Sequence, residues 1–265
     1  MATRTTLDRG KCTAVLLCEF TKLRTVRSTA WTLFTACAVT VLLALCFSLL
    51  SRYATGQLAS QESAGIAEDP VFTSFAGMVL GQLAMIVFGV LAVSGEYSSG
   101  LISTSLQAVP RRGLLLGCKA AVVGGAALVT GLVTSFTSYA VGQAALGPHG
   151  TSLAEPGVLR AVFGAGLYMA LLAVFAMGAA TVLRSSLLAL GLLMPFFFLV
   201  SPLLGSLPKT KAVAQYLPDA AGMRIAQVEE LPGALGPWSG LGVLVLWTAA
   251  ALVGGVVALR SRDAR

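Results

Sequence analysis

Charged residues are scarce in this sequence, and their scarcity limits what the protein can be. Asp, Glu, Lys and Arg make up only 11% of the 265 residues, whereas hydrophobic residues make up 56%. The mean hydropathy of +0.85 lies far from that of a soluble globular domain. Because one globular core cannot bury so many apolar side chains, much of the protein surface must face lipid.

Side chains that hold metal ions or perform catalysis are also scarce. The only histidine, His149, lies in a Gly/Pro-rich loop, where a solvated side chain is the simpler expectation. The five cysteines lack metal-ligand spacing with accompanying histidines, so we expect free thiols and no metal site. The motifs G-x-x-x-x-G-K-[ST], G-x-S-x-G and H-E-x-x-H are absent. The sequence therefore indicates a protein that is not an enzyme and binds no cofactor of its own.

Six long apolar runs dominate the chain, and each is long enough to cross a membrane. A helix of about 20 residues rises about 1.5 Å per residue, which matches the roughly 30 Å hydrocarbon core. We predict an all-α integral membrane protein, with a cytosolic tail over 1–28 and a six-span domain over 29–265. The predicted transmembrane helices are residues 31–50, 72–93, 120–140, 158–183, 187–204 and 241–259.

The basic tail before the first span has a modest amphipathic pattern over 13–27. Leu16, Phe20 and Leu23 share one face at helical spacing, while Glu19 and its neighbouring lysine lie off that face. This pattern favours an amphipathic interfacial helix on the cytosolic leaflet, with its basic side chains near anionic headgroups. A disordered basic tail is the alternative.

The distribution of lysine and arginine predicts the orientation of the chain. If residues 1–28, 94–119, 184–186 and the C-terminus lie on one side, that side carries 13 basic and 4 acidic residues. The opposite side then carries 5 basic and 7 acidic residues. The positive-inside rule places the first side, with both termini, in the cytosol. Because the basic residues flank apolar runs and form no separate domain, we expect contact with membrane lipid and no nucleic-acid partner.

The segment 94–119 has mixed polarity and joins the second and third spans. We predict a short helix over 96–107, with Ser94 as its N-cap and Glu96 in its first turn. Pro110 ends that helix, because proline disfavours helical geometry in the residue before it. A polar helix held between two spans suits a docking element, and an ordinary cytosolic loop with a positive-inside signature is the alternative.

The opposite side of the membrane holds a longer segment, 205–239, which is rich in proline and glycine. We predict short helices over 213–217 and 220–228 that dip into the interface. Pro195 and Pro202 lie inside the fifth span, and each removes a backbone hydrogen bond. A kinked or broken helix is therefore predicted there.

Acidic residues are missing from the predicted spans, and all eleven lie outside them. A proton- or sodium-driven carrier usually needs an ionisable group at depth, because something must carry the coupling charge. This pattern favours a subunit that takes its energy from another protein.

Two stretches resemble one protein family. Residues 19–29, EFTKLRTVRST, resemble the E-x-x-K-L-R-T-x-R-S-T signature of permease subunits of type-2 ATP-binding-cassette (ABC) exporters. The motif G-E-Y-x-x-G at 95–100, followed by P-R-R at 110–112 and by Lys119, resembles a second signature of that family. A third match, YLPDAAG at 216–222, is weaker. With the six spans, the resemblance covers essentially the whole chain.

The resemblance implies a role for each part of the chain. The N-terminal helix would be the interfacial connecting helix, and the 96–107 helix would be the coupling helix that rests in a groove of the ATPase. The helices in 205–239 would close the exit on the outside. Ser99 and Leu101 depart from the family pattern. The residues implied to couple to the ATPase are Glu96, Tyr97, Gly100 and Ser103, and those expected at the headgroups are Lys22, Arg24, Arg27, Arg111, Arg112 and Lys119.

The resemblance also implies partners. A separate cytosolic ABC ATPase, in two copies, would use ATP to switch the permease from inward-facing to outward-facing. One six-span subunit is half of such a pore, which implies a second permease, as a homodimer or a heterodimer, in the plasma membrane. Two further functions remain as alternatives: an integral membrane enzyme that modifies lipid, and an ion-coupled secondary carrier.

Overall fold

The structure is a computed structural model. All of its regular secondary structure is helical, and the residues that it describes contain no β-strand. Six helical stretches there are long and apolar enough to cross a membrane. The protein is therefore an all-α, multi-pass membrane protein, as the apolar runs predict. The described residues are 2–25, 27–58, 69–101, 107, 112–228 and 233–261.

The α-helices are numbered in chain order. The first four are α1 (Ala2–Thr25), α2 (Arg27–Leu58), α3 (Pro70–Ser74) and α4 (Met78–Ser98). The long helices of the second half are α5 (Arg112–Leu146), α6 (Val158–Leu183) and α11 (Pro237–Ser261). Between them lie α7 (Ser186–Pro195), α8 (Ser201–Ser206), α9 (Lys211–Ala214) and α10 (Pro218–Met223).

Most of the membrane helices extend beyond the predicted spans. The spans predicted over 31–50, 120–140 and 241–259 lie inside α2, α5 and α11, which continue at both ends. The fourth predicted span coincides with α6. Helix α5 runs on to Leu146, past the end of the third predicted span at residue 140. Apolar runs mark the membrane thickness, whereas backbone hydrogen bonds continue through the polar flanks.

The second predicted span, 72–93, is divided in two. Asp69 caps α3 by accepting a hydrogen bond from the amide of Val71 at 2.9 Å, and α3 ends after five residues. A turn then leads to Gly77, where α4 begins. A Cβ atom at Gly77 would lie 2.2 Å from the carbonyl oxygen of Thr40, so only glycine allows α2 to approach this closely.

The core of the bundle surrounds α6, which is the most buried of the six long stretches. Helices α4, α5 and α11 pack around it. Tyr168, Leu172 and Met177 of α6 are fully buried. Small residues bring the backbones together, since a Cβ atom at Gly89 of α4 would lie 2.1 Å from the carbonyl oxygen of Ala173.

The fifth membrane stretch is neither broken nor interrupted at Pro195. Helix α7 ends there and a π-helical turn, Phe196–Val200, connects it directly to α8. The amide of Ser201 donates to the carbonyl of Phe196, five residues back, at the end of this turn. Proline has no backbone N–H group, so Pro195 cannot donate the usual helical hydrogen bond. The wider π-helical turn that follows carries the helix past this position, as π-bulges do elsewhere.

Short helices occupy the long segment before α11. The sequence predicts helices over 213–217 and 220–228, and the structure has α9, α10 and a 3-10 turn at Arg224–Ala226. This segment lies at the end of the bundle where α6 begins and α8 ends. We call that end the distal end, and we call the opposite end, where α4 ends and α5 begins, the proximal end.

One part of this segment, α10, folds back into the bundle. A Cβ atom at Gly222 of α10 would lie 2.6 Å from the ring of Tyr168 and 2.7 Å from Leu244. Tyr168 lies roughly 15 Å along α6 from its distal start, at about 1.5 Å per residue. The indole nitrogen of Trp247 donates to the carbonyl of Tyr216 at 2.9 Å and holds the segment against α11.

The start of the segment 94–119 differs from its prediction. Helix α4 continues without a break through Ser94 to Ser98, so Ser94 is an interior helix residue and not an N-cap. Glu96 therefore lies in the last turn of a membrane helix and does not start a separate one. The rest of the predicted 96–107 helix lies mostly outside the described residues, as does Ser103.

Candidate functional site

Four charged side chains meet at the proximal end, and we call them the charge cluster: Glu19, Lys22, Glu96 and Lys119. The Lys22 Nζ atom lies 2.8 Å from Glu19 Oε1 and 2.9 Å from Glu96 Oε1. The Lys119 Nζ atom lies 2.9 Å from Glu96 Oε1 and also pairs with Glu19 Oε2. Each ammonium group bridges both carboxylates, so the cluster joins α1, α4 and α5.

Helix geometry brings these four groups together. Glu19 and Lys22 are three residues apart in α1 and therefore lie on the same face of that helix. Glu96 lies in the last turn of α4, and Lys119 lies about two turns after the start of α5. The cluster thus closes the connection between α4 and α5 and fixes α1 beside it.

The orientation of α1 differs from the predicted one. Glu19 is only 3% exposed and faces the bundle, whereas Leu17 and Phe20 are more than half exposed. Leu23, which was predicted to face the leaflet together with Phe20, packs against the core. Helical spacing placed Glu19 off the apolar face of this helix. An isolated carboxylate is costly to bury, but two ammonium groups compensate for its burial against the bundle. The exposed Leu17 and Phe20 leave an apolar strip on the outer side of α1.

Lys119 occupies a different environment from the one expected of a headgroup anchor. Its side chain is buried and its ammonium group pairs with both Glu19 and Glu96. Lys22, which we also expected at the headgroups, is partly exposed while it joins the same two carboxylates. No local pattern predicts this arrangement, because both partners of Lys119 and one partner of Lys22, Glu96, lie on other helices.

The remaining expected anchors have three different outcomes. Arg24 is exposed on α1, as a side chain that contacts headgroups must be. Arg112 donates from Nη1 to the carbonyl oxygen of Leu259, so it ties the start of α5 to the end of α11. The side chain of Arg27 and all of Arg111 lie outside the described residues.

The other residues expected to couple to an ATPase lie next to the cluster or outside the described chain. Tyr97 follows Glu96, packs against the core, and has a buried hydroxyl group with no hydrogen-bond partner in the described part of the chain. Gly100 has a φ angle of +72°, a left-handed conformation that glycine adopts without strain and that ends the helical path. Ser103 lies in the part that is not described.

The cluster is ionic, and its charges balance. Burial opposes ionisation of Glu19, but the charges and hydrogen bonds of Lys119 and Lys22 outweigh it and lower the pKa of Glu19. Burial likewise opposes the charge on Lys22, but hydrogen bonds with Glu19 and Glu96 outweigh it and raise the pKa of Lys22. Both shifts favour the charged forms at neutral pH. Two carboxylates and two ammonium groups cancel, which limits the cost of burying them together.

A cavity of about 310 Å³ opens beside the charge cluster. Its walls include the apolar side chains Phe88, Leu91 and Val122, and its floor includes the four charged groups. Glu96 Oε2 is buried there without a hydrogen-bond partner among the described residues. The arrangement can hold three helices in register through charge, and moving any one helix must disturb the other two.

No group of three or more His, Cys, Asp or Glu side chains that could hold a metal ion occurs among the described residues. No protein-family model matches the sequence, and a search of curated proteins found no match. The charge cluster is the most strongly ionic site in the described chain and contains residues from both family-like motifs.

Proposed function

We propose that this chain is the membrane-spanning permease subunit of an ATP-driven exporter of the type-2 ABC class. A separate cytosolic ATPase, in two copies, hydrolyses the ATP, and this chain binds no nucleotide. A second permease, identical or related, completes the pore. The proximal end and both termini lie in the cytosol, and the chain resides in the plasma membrane.

One observation carries this proposal: both family-like motifs contribute to the same cluster. Glu19 and Lys22 belong to the first motif, and Glu96 and Lys119 belong to the second. Lys22 and Glu96 are 74 residues apart in sequence, yet their side chains are in direct contact. Each motif supplies one acid and one lysine to the cluster, and this supports a shared role for the two motifs. The second motif also contains the segment that we assign to the ATPase contact.

The cluster supplies a mechanical route from the ATPase to the membrane helices. When the ATPase dimer closes on ATP, it draws the two 94–119 segments together. Glu96 and Lys119 stand near the two ends of that segment, and the cluster links both of them to α1. The segment, α1 and the proximal ends of α4 and α5 then move as one unit and shift the pair from inward-facing to outward-facing.

Two arginines extend this unit to the rest of the proximal end. Arg112 at the start of α5 donates to the carbonyl of Leu259 in α11. Arg184, which ends α6 in a left-handed conformation with a φ angle of 55°, donates to the carbonyl of Ala258 at 2.8 Å. The two arginines therefore tie the proximal ends of α5, α6 and α11, and the charge cluster ties α5 to α1 and α4.

A second permease fits the exposed surfaces of the bundle. Helices α2 and α11 and the stretch from α7 to α8 bury the smallest share of their apolar residues within this chain. Apolar surface of that extent faces either lipid or another subunit. One six-helix unit with such faces supports a pore built from two copies or from two related chains.

Cross-linking tests the proposed partner. In a variant whose five native cysteines are replaced, we expect Ser103→Cys to capture a protein that contains a G-x-x-x-x-G-K-[ST] motif in native membranes. Ser152→Cys, at an exposed site of the distal end, is the matched control and should capture no such protein. Mass spectrometry identifies the captured chain. If neither Ser103→Cys nor Ser98→Cys captured such a protein, the proposal would be overturned.

A further inference from the structure

A second cavity, of about 190 Å³, lies in the distal half of the bundle, far from the charge cluster. It lies where α4, α6, the π-helical turn and α10 come together. Its polar groups come from Gln82, Tyr168 and Asp219, and its aromatic walls come from Phe197 and Phe198. None of these residues belongs to the part of the chain that we assign to the ATPase contact.

Asp219 gives this cavity a negative charge that the described residues do not neutralise. It lies in the first turn of α10, and its Oδ1 accepts a hydrogen bond from Ser201 at 2.7 Å. No lysine or arginine of the described chain forms a salt bridge with it. Burial raises the pKa of this carboxyl, and the hydrogen bonds from Ser201 and the nearby backbone oppose that rise only in part. A positive charge brought into the cavity would offset this cost of burial.

The walls of the cavity suit a positive charge as well. Tyr168 donates its hydroxyl hydrogen to Gln82 Oε1, so the hydroxyl is already engaged and the ring remains as a wall. The π-helical turn places Phe197 and Phe198 in succession at the same cavity. Aromatic faces attract cations, and most strongly where water is partly excluded. One carboxylate with aromatic rings around it is the combination that binds organic ammonium groups.

We propose that this distal cavity binds the positively charged head of a lipophilic organic cation, and that such cations are cargo of the exporter. The assignment as cargo depends on the proposed function, whereas the binding site does not. A volume of about 190 Å³ holds a head of the size of trimethylammonium but not a drug-sized molecule. The apolar remainder of the cation extends past Phe198 and Val79, which are 55% and 43% exposed.

Photo-labelling tests the site directly. The probe is (4-benzoylbenzyl)trimethylammonium, and its neutral counterpart is 4-methylbenzophenone, both applied to the purified full chain in lipid nanodiscs. We expect the cationic probe to label peptides that contain 196–202 and 216–226, and tetramethylammonium to compete with it. Asp219→Asn should reduce this labelling about tenfold, because the affinity for the cationic probe should fall by about that factor. Asparagine can still accept the hydrogen bond from Ser201, so the fold should survive the change.

Two further variants make the test specific. Glu155→Gln removes an exposed acid at the same end of the bundle and should leave the labelling unchanged. Phe198→Ala removes one aromatic wall at a position that is 55% exposed and should reduce the labelling severalfold. Equal labelling by the neutral probe, or undiminished labelling of Asp219→Asn, would overturn the proposed site. Capture of an ATPase from residue 103 does not depend on Asp219, so failure of the site would leave the proposed function standing.

Discussion

Replacing Lys119 with methionine is expected to destabilise the protein by about 3–5 kcal/mol, the usual cost of removing one partner from a buried ion pair. The substitution leaves Glu19 and Glu96 buried with only Lys22 to neutralise both. Methionine fills a similar volume, so the loss comes from charge and not from a cavity. Thermal unfolding in nanodiscs should show a decrease in Tm on the order of 10 °C.

Two variants distinguish the loss of the charge cluster from the general effect of losing a lysine. Lys209→Met makes the same chemical change at an exposed site of the distal end and should leave Tm nearly unchanged. The double variant Glu19→Gln with Lys119→Met restores the balance of charge, because the Lys22–Glu96 pair at 2.9 Å remains. It should recover much of the lost stability. Equal Tm values for Lys119→Met and Lys209→Met would contradict the cluster's role.

Gly89→Val is expected to disrupt the contact between α4 and α6. A Cβ atom at residue 89 would lie 2.1 Å from the carbonyl oxygen of Ala173, well inside van der Waals contact, and both residues are buried. The two helices must separate to admit the side chain, which costs about 3 kcal/mol in a packed core. Unfolding measurements in nanodiscs should show a decrease of that size, together with a lower yield of folded protein.

Gly125→Val is the matched control for this substitution. Gly125 is exposed on α5, and no heavy atom outside its own stretch of helix lies within 4 Å of a Cβ built there. The change should therefore alter the free energy of unfolding by less than about 1 kcal/mol, the scale of helix propensity. A Gly89→Val variant as stable as Gly125→Val would show that α4 and α6 do not approach as closely as described.

The membrane helices could be predicted from the sequence because lipid imposes one simple requirement on length and polarity. The fourth predicted span coincides with α6, and the predicted spans over 31–50, 120–140 and 241–259 lie inside α2, α5 and α11. Their ends could not be located, since helical hydrogen bonds continue past the apolar run. The break between α3 and α4 also escaped prediction, because it depends on how closely α2 approaches Gly77.

The charge cluster could not be derived from any local pattern. Glu19 and Lys22 are an ordinary pair at three-residue spacing, and such a pair most often lies in water. The burial of Glu19 depends on Lys119, which is 100 residues away in the sequence. The one usable signal was that both family-like motifs contain an acid and a lysine. The structure brings those four residues together, and their pairing adds information that the motifs alone do not contain.

Asp219 was missed as a site for a similar reason. The sequence places it in a proline- and glycine-rich segment between spans, where an acid normally remains solvated. The fold instead inserts α10 beside Tyr168, and Asp219 becomes partly buried. The adjacent π-helical turn depends on Pro195, for which the sequence predicts a kink without specifying its form.

The most direct test of the account is the side of the membrane at which residue 99 is exposed. Ser99 is exposed at the end of α4, next to the charge cluster and inside the segment assigned to the ATPase contact. In a variant without native cysteines, Ser99→Cys should resist a membrane-impermeant maleimide in intact cells and react after permeabilisation, whereas Ser152→Cys should react in intact cells. Reaction of Ser99→Cys from outside intact cells would contradict the account, because no cytosolic ATPase could then reach that segment.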